Sequence, residues 1–173
     1  KDYAAGNRGA AGVVAFDIDT GKRRKTITFE GPTSDHLCND LAVDEEGWLF
    51  VSDPASSTLY TLGLSARSFE PFLASGTLAA PQGIALRADG KSFYVADYSR
   101  GIAHVDRATR AVDWLVAPAN ATFLGVDGLV AYQGDLIAIQ NGVRPHRVVR
   151  IRLDATGKTV RQVEILEMNH AAF

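Results

Sequence analysis

QGIALRADGKSFYVAD, residues 82–97, reads as a short apolar strand, a turn built on Asp89 and Gly90, and a second strand rich in aromatic and β-branched residues. The pattern occurs twice more, as NDLAVDEEGWLFVSD from Asn39 and DGLVAYQGDLIAIQN from Asp127. Gly47, Gly90 and Gly134 are 43 and 44 residues apart, while Asp53, Asp97 and Asn141 are 44 and 44 apart. A fixed period decides an architecture before local propensity does, and this period is the length of one four-stranded propeller blade. Two further strands follow each copy. They are Thr58–Leu62 and Ser68–Phe72 in the first, Ile102–Asp106 and Ala111–Leu115 in the second, Arg147–Leu153 and Val160–Leu166 in the third. Upstream, Gly12–Ile18 and Lys25–Glu30 flank the turn Asp19-Thr20-Gly21-Lys22 and read as the outer pair of a preceding blade. Neither a 3.6-residue periodicity nor an asparagine ladder competes with this assignment.

The expected fold is therefore all-β, a six-bladed β-propeller of which this chain, one domain over 1–173, covers about three and a half blades. The outer strands of one blade fall at 12–30, complete blades at 39–72, 83–115 and 128–166, and the start of the next at 169–173. Propellers protect their edges by closing on themselves, usually with four to eight blades, so the sequence is expected to be the middle portion of a longer chain.

With 46% hydrophobic and 22% charged residues, the composition is that of a packed globular domain. A formal charge of -2 offers no basic field for nucleic acid, and the short Lys22–Lys25 cluster, with nothing aromatic in it, reads as a solvated hairpin. The longest uncharged stretch, Pro71–Leu86, is broken by Gly76, Pro81 and Gly83, so no membrane partner is expected. A soluble protein, cytoplasmic or else periplasmic or secreted, fits these features. Cys38 is the single cysteine, which excludes an internal disulfide and leaves the redox compartment open. It precedes an inner strand and reads as a small buried hydrophobe rather than a nucleophile. The chain begins at Lys1, which fits a removed signal peptide or a late start equally. Oligomeric state is not legible.

Geometry converts the repeat into chemistry. The inner strands of a propeller run in one direction around the channel, so the residues just before them meet at one mouth. Those positions hold Asn39, Gln82 and Asp127, all ending in oxygen. Asp, Glu, Asn and Gln make up about one residue in six, so composition alone would fill all three positions this way about once in two hundred. Such a ring suits Ca2+, which takes 6 to 8 oxygen ligands in irregular geometry. Another divalent cation such as Mg2+, Mn2+ or Zn2+ is the alternative, although the scarcity of nitrogen and sulfur ligands argues against zinc.

The loops Asp53–Ser57, Asp97–Gly101 and Gln140–His146 return to the same end and offer Tyr98, Arg100, Arg144 and His146 as substrate-binding candidates on the rim. His36, three residues before Asn39, is a further one. Each has a plainer reading. Asp53, Asp97 and Asn141 can cap turns, the histidines can be loop residues, and the ring can satisfy backbone groups at the channel. Asn120-Ala121-Thr122 matches a glycosylation sequon, a short and common pattern.

CNDLAVD at 38–44, PQGIALRADGKSFYVAD at 81–97 and VDGLVAYQGDL at 126–136 resemble motifs of the SMP-30, gluconolactonase and regucalcin group of six-bladed propellers, related in design to diisopropyl-fluorophosphatase and the paraoxonases. The resemblance covers nearly the whole chain. It implies a divalent ion, commonly calcium, held by an upstream Glu, two Asn and one Asp, with Asn39 and Asp127 on ligand positions. Gln82 stands where the family carries Asn, which moves the carbonyl outward by one methylene, and the glutamate belongs to a blade outside this sequence. The activity implied is hydrolysis of a small-molecule lactone or related ester, with Asp127 and Asn39 as the catalytic pair. Two alternatives stand beside it: a non-catalytic NHL-like propeller that binds a peptide, sugar or protein partner, and a metal-free propeller resembling strictosidine synthase.

Overall fold

The computed structural model describes residues 11–29, 36–63 and 65–171; Glu30 of the second expected strand, and Ala172 and Phe173 of the expected next blade, lie outside them. Every regular element among the described residues is a strand. β1 (Gly12–Phe16) and β2 (Arg23–Thr28) form a two-stranded antiparallel sheet. Three four-stranded antiparallel meanders follow, each in chain order. The first holds β3 (Leu41–Val43), β4 (Leu49–Asp53), β5 (Thr58–Leu62) and β6 (Glu70–Pro71). The second holds β7 (Pro81–Leu86), β8 (Ser92–Asp97), β9 (Gly101–Asp106) and β10 (Val112–Trp114); the third holds β11 (Val126–Tyr132), β12 (Asp135–Gln140), β13 (Arg147–Leu153) and β14 (Val160–Met168).

The glycines that mark the repeat have a conformational reason. Gly47, Gly90 and Gly134 adopt φ of 81°, 65° and 83° in the hairpins joining the inner strand of each blade to the second. A β carbon is costly there, so glycine recurs wherever this hairpin is built.

The cores lie between the blades. In β8, Phe93 and Val95 pack with Phe50, Leu59, Phe72 and Ile84 toward the first blade, while Tyr94 and Ala96 pack with Leu129, Leu136 and Val149 toward the third. Because successive side chains point to opposite faces and both faces are covered, β8 is buried along its whole length instead of alternating. Phe93 is fully buried, which at the usual rate contributes about 2 kcal/mol or more. β12 buries Leu136 and Ala138 against the second blade but leaves Ile139 exposed on its other face. A third cluster, Ile27, Leu49, Val51 and Leu62, joins β2 to the first blade.

Arginines fasten the blades at the end where these hairpins lie. Arg107, after β9, donates to Asp44 Oδ2 at 2.6 Å and to Gly90 O at 2.8 Å, with its guanidinium over the Phe50 ring. Arg87 donates to Thr156 O at 2.7 Å, and Tyr94 donates its hydroxyl to Gly157 O at 2.8 Å, tying the second blade to the third. Arg107→Ala is expected to lower unfolding stability by about 2 kcal/mol, because Asp44 is left largely buried without its cation. Urea denaturation checks this; Asp44→Ala combined with it should cost little more.

The outer strands depart most from the sequence-based expectation. β6 spans only Glu70–Pro71, not Ser68–Phe72, and Pro71 brings no N–H to the ladder. β14 runs on to Met168, and residues 169–171 after it bend and turn rather than begin a strand. β1 stops at Phe16 because Asp17 closes the turn, accepting from Thr20 N at 2.8 Å and Thr20 Oγ1 at 2.7 Å. Those bonds, with Arg24, hold its carboxyl down at about 2.

Candidate functional site

Asn39 N–H donates to Ser52 O at 2.9 Å and Ser52 N–H to Asp40 O at 3.0 Å, carrying the β3–β4 ladder past Leu41 toward the mouth. Asn39 and Asp40 thus stand together opposite Ser52, and in β7 and β11 the ladder likewise breaks register, between Pro81 and Ile84 and between Val126 and Leu129. The residues skipped are Gln82 and Gly83 in one strand, Asp127 and Gly128 in the other. Such irregularities re-aim side chains, and here they fall on all three expected ring residues. Asn39 is exposed, and Gln82 and Asp127 are half-buried, so all three remain open to a solute.

Neighbouring inner strands start side by side. Ile84 N–H donates to Asp40 Oδ2 at 2.8 Å, which joins the residue after Asn39 to the strand of Gln82. A β carbon on Gly83 would lie 2.6 Å from Asp127 O and 2.5 Å from Leu129 N, so the strands of Gln82 and Asp127 touch backbone to backbone.

The best-developed contacts surround Asp127. Asn141 Nδ2 donates to Asp127 Oδ2 at 2.6 Å, and Tyr98 donates its hydroxyl to Asn141 Oδ1 at 3.1 Å. The backbone holds these loops together: Gly125 N–H donates to Tyr98 O at 2.8 Å, and Asn141 N–H donates to Gly125 O at 3.1 Å. Gly142 leaves no room for a side chain, since its β carbon would meet the Tyr98 ring at 2.6 Å and Gly125 Cα at 2.5 Å.

Two of the expected turn caps are turn caps. Asp53, fully buried, accepts from Leu37, Ala55 and Ser56 N–H, while Asp97 accepts from Ala79, Ala80, Ser99 and Arg100 N–H. Asn141 is a correction. Pro81 pairs with Asp97 but Val126 pairs with Gln140, so Gln140 occupies the cap position of the third blade and Asn141 is equivalent to Tyr98. The hairpin through Gly134 is tighter than the one through Gly90, which shifts the sequence alignment by one residue. Gln140 caps with the opposite polarity, donating Nε2 to Thr122 O at 2.9 Å and Leu124 O at 2.6 Å.

The other rim candidates have surroundings of their own. His36 is nearly buried, with Nδ1 on Asp53 Oδ2 at 2.5 Å and its ring stacked on Phe29 at 4.4 Å. Arg100 donates to Thr77 O at 3.1 Å. Arg144 and His146 line a recess of about 370 Å3 with Pro145, Asn169, His170 and Ala171. Cys38 is half-buried, and burial together with the Asp53 carboxylate pushes its thiol up, away from thiolate chemistry.

Among the described residues no three His, Cys, Asp or Glu side chains gather as a metal site. Of the three expected ring residues, Asn39 and Gln82 could offer a cation side-chain carbonyl oxygens and Asp127 a carboxylate. That all-oxygen set fits a hard ion such as Ca2+ as part of its shell. Sequence reasoning missed Asp40 and the pairing of Asn141 with Asp127. The available signal was that Tyr98 and Asn141 are 43 residues apart, one blade, and so face each other at the mouth.

No helix among the described residues is long and apolar enough to cross a membrane. No protein-family model matches the chain. No curated protein matches it either. Solved structures do. A nidogen/laminin complex matches at 15% identity with a TM-score of 0.66, over 89% of this chain and 57% of that one. Hydrazine synthase of Kuenenia stuttgartiensis matches at 17% with a TM-score of 0.66, over 90% and 43%. Virginiamycin B lyase of Staphylococcus aureus matches at 13% with a TM-score of 0.63, over 93% and 50%. The chain thus spans about half the length of the structures it resembles, and the likeness concerns fold alone, which is that of a partial β-propeller.

Proposed function

We propose that this mouth is the centre of a divalent-cation-dependent hydrolase acting on a lactone or related ester, as the resemblance to the SMP-30 and gluconolactonase group implies. The observation that carries the reading is the Asp127 carboxylate, fixed at one oxygen by Asn141 and seated on a strand irregularity beside Gln82. Asn39, Gln82 and Asp127 would hold the cation through their side-chain oxygens. When bound, it would polarise the substrate carbonyl as a Lewis acid. Asp127 is the only carboxylate of the three, so it is the group assigned to orient the attacking water and accept its proton. With Oδ2 taken up by Asn141, Oδ1 is the atom left for that task. Asn39, exposed at the rim, is assigned to substrate.

The competing reading is a non-catalytic propeller that binds a peptide, sugar or protein partner on one face. It draws on the nidogen likeness, a structure of a complex with laminin, and on the single charge of the ring. One experiment separates the two. Calcium at 100 times its dissociation constant should stabilise the wild-type protein by about 2.7 kcal/mol, reversibly with chelator, and Asp127→Ala should abolish both this gain and lactone hydrolysis. An unchanged hydrolysis rate in Asp127→Ala would sink the enzymatic reading.

A further inference from the structure

We infer that Tyr98 and Asn141 act as positioning residues for Asp127, a relay that crosses from the second blade to the third and sets which carboxylate oxygen faces the mouth. This rests on the reading of Asp127 as the ring carboxylate. An Asn amide can point either way, and its orientation is decided by its partners. Asp127 resolves the choice: a carboxylate only accepts, so Nδ2 faces Oδ2 at 2.6 Å, and the Tyr98 hydroxyl donates to the remaining Oδ1 at 3.1 Å, which holds the amide in that turn. The amide cannot swing aside readily, because Gly142 and Gly125 press the loop against the Tyr98 ring with no space for a β carbon. Tyr98 therefore works through Asn141, away from the substrate contact expected of it.

Partners of this kind commonly change metal affinity by about 10 to 100-fold when removed. Titration calorimetry with calcium alone should find Tyr98→Phe weaker by roughly tenfold, and Asn141→Leu weaker still. Asn141→Asp should bind calcium more tightly than wild type, since a second anionic oxygen then stands beside Asp127. A merely structural role would lower thermal stability in both Asn141 variants without opposite changes in affinity. The Asn141 side-chain amide signals in 15N–1H NMR provide a readout without any cation. They should move in both Asp127→Ala and Tyr98→Phe, and an Asn141 amide unchanged in Tyr98→Phe overturns the relay. Wild-type protein that binds no calcium while these signals respond overturns the cation reading and supports the relay. Calcium binding that is lost in Asp127→Ala but untouched in Tyr98→Phe overturns the relay and supports the cation reading.

Discussion

Gly83→Ala is expected to destabilise the protein by about 3 kcal/mol, whereas Gly128→Ala, at the same register of the next blade, is expected to cost roughly 1 kcal/mol or less. The new β carbon at Gly83 would meet Leu129 N and Asp127 O inside contact distance, and both are backbone atoms that no rotamer change can move. The inner strands β7 and β11 would have to separate, opening the core at Leu129 and displacing Asp127. At Gly128 the three atoms nearest the added carbon all belong to the Ile139 side chain, the first at 3.3 Å, and a side chain can yield. Alanine also restricts the unfolded chain, which offsets part of the smaller loss. The first blade explains why a residue other than glycine can stand at this register. Asp40 is found there, its carboxylate bridging to Ile84 N–H across a gap wide enough to hold it. Denaturant unfolding of the two variants side by side decides the matter. Equal losses would mean that the second and third blades do not close at Gly83. A Gly83→Ala protein that still binds calcium with wild-type affinity would mean that Asp127 does not depend on that closure.

The blades were legible because the period rests on a backbone requirement: each glycine of the repeat sits at positive φ in the same hairpin. Strand identity in the middle of each blade was legible for a similar reason, since Phe93 to Val95 and Trp48 to Val51 are β-formers between turn residues. Two things were not. The outer strands end where their ladders end: β6 shrinks at Pro71, which has no N–H to donate, while β14 lengthens along its partner β13. The site contacts depend on register across loops of unequal length. A hairpin two residues tighter at Gly134, one of them after the glycine, was enough to make Asn141 look like Asp97, when the ladder assigns that place to Gln140. The ring positions Gln82 and Asp127 were found by the repeat; the register break on which each sits had one mark, the glycine that follows each inside a strand pattern, Gly83 and Gly128.

Asp53→Ala is expected to cost about 4 kcal/mol, with most of the loss arising from the groups left behind. Asp53 has no solvent exposure, and it accepts from the N–H groups of Leu37 at 3.0 Å, Ala55 at 3.0 Å and Ser56 at 3.3 Å while holding the His36 ring. Alanine would strip the acceptor from several buried or half-buried donors at once. The pH dependence follows from the carboxyl's own equilibrium. Burial pushes the Asp53 carboxyl up, but hydrogen bonds from His36, Leu37 and Ser56 outweigh it and hold the group below its ordinary value of 3.8. The unfolded chain therefore takes up this proton first as the solution is acidified. The stabilisation is complete above the unfolded carboxyl's value and is lost as pH falls through the lower folded one. The stability gap between wild type and Asp53→Ala should accordingly be widest near neutrality and should narrow below about pH 4. A gap that stays constant from pH 7 to 3 would show that the carboxylate charge is not what holds the loop. The same substitution tests the mouth, because Asp53 anchors the segment 36–39 that ends at Asn39. If Asn39 belongs to the ring, Asp53→Ala must weaken calcium binding even under conditions where the protein remains folded, and Asp53→Asn, which keeps one acceptor oxygen, must weaken it less.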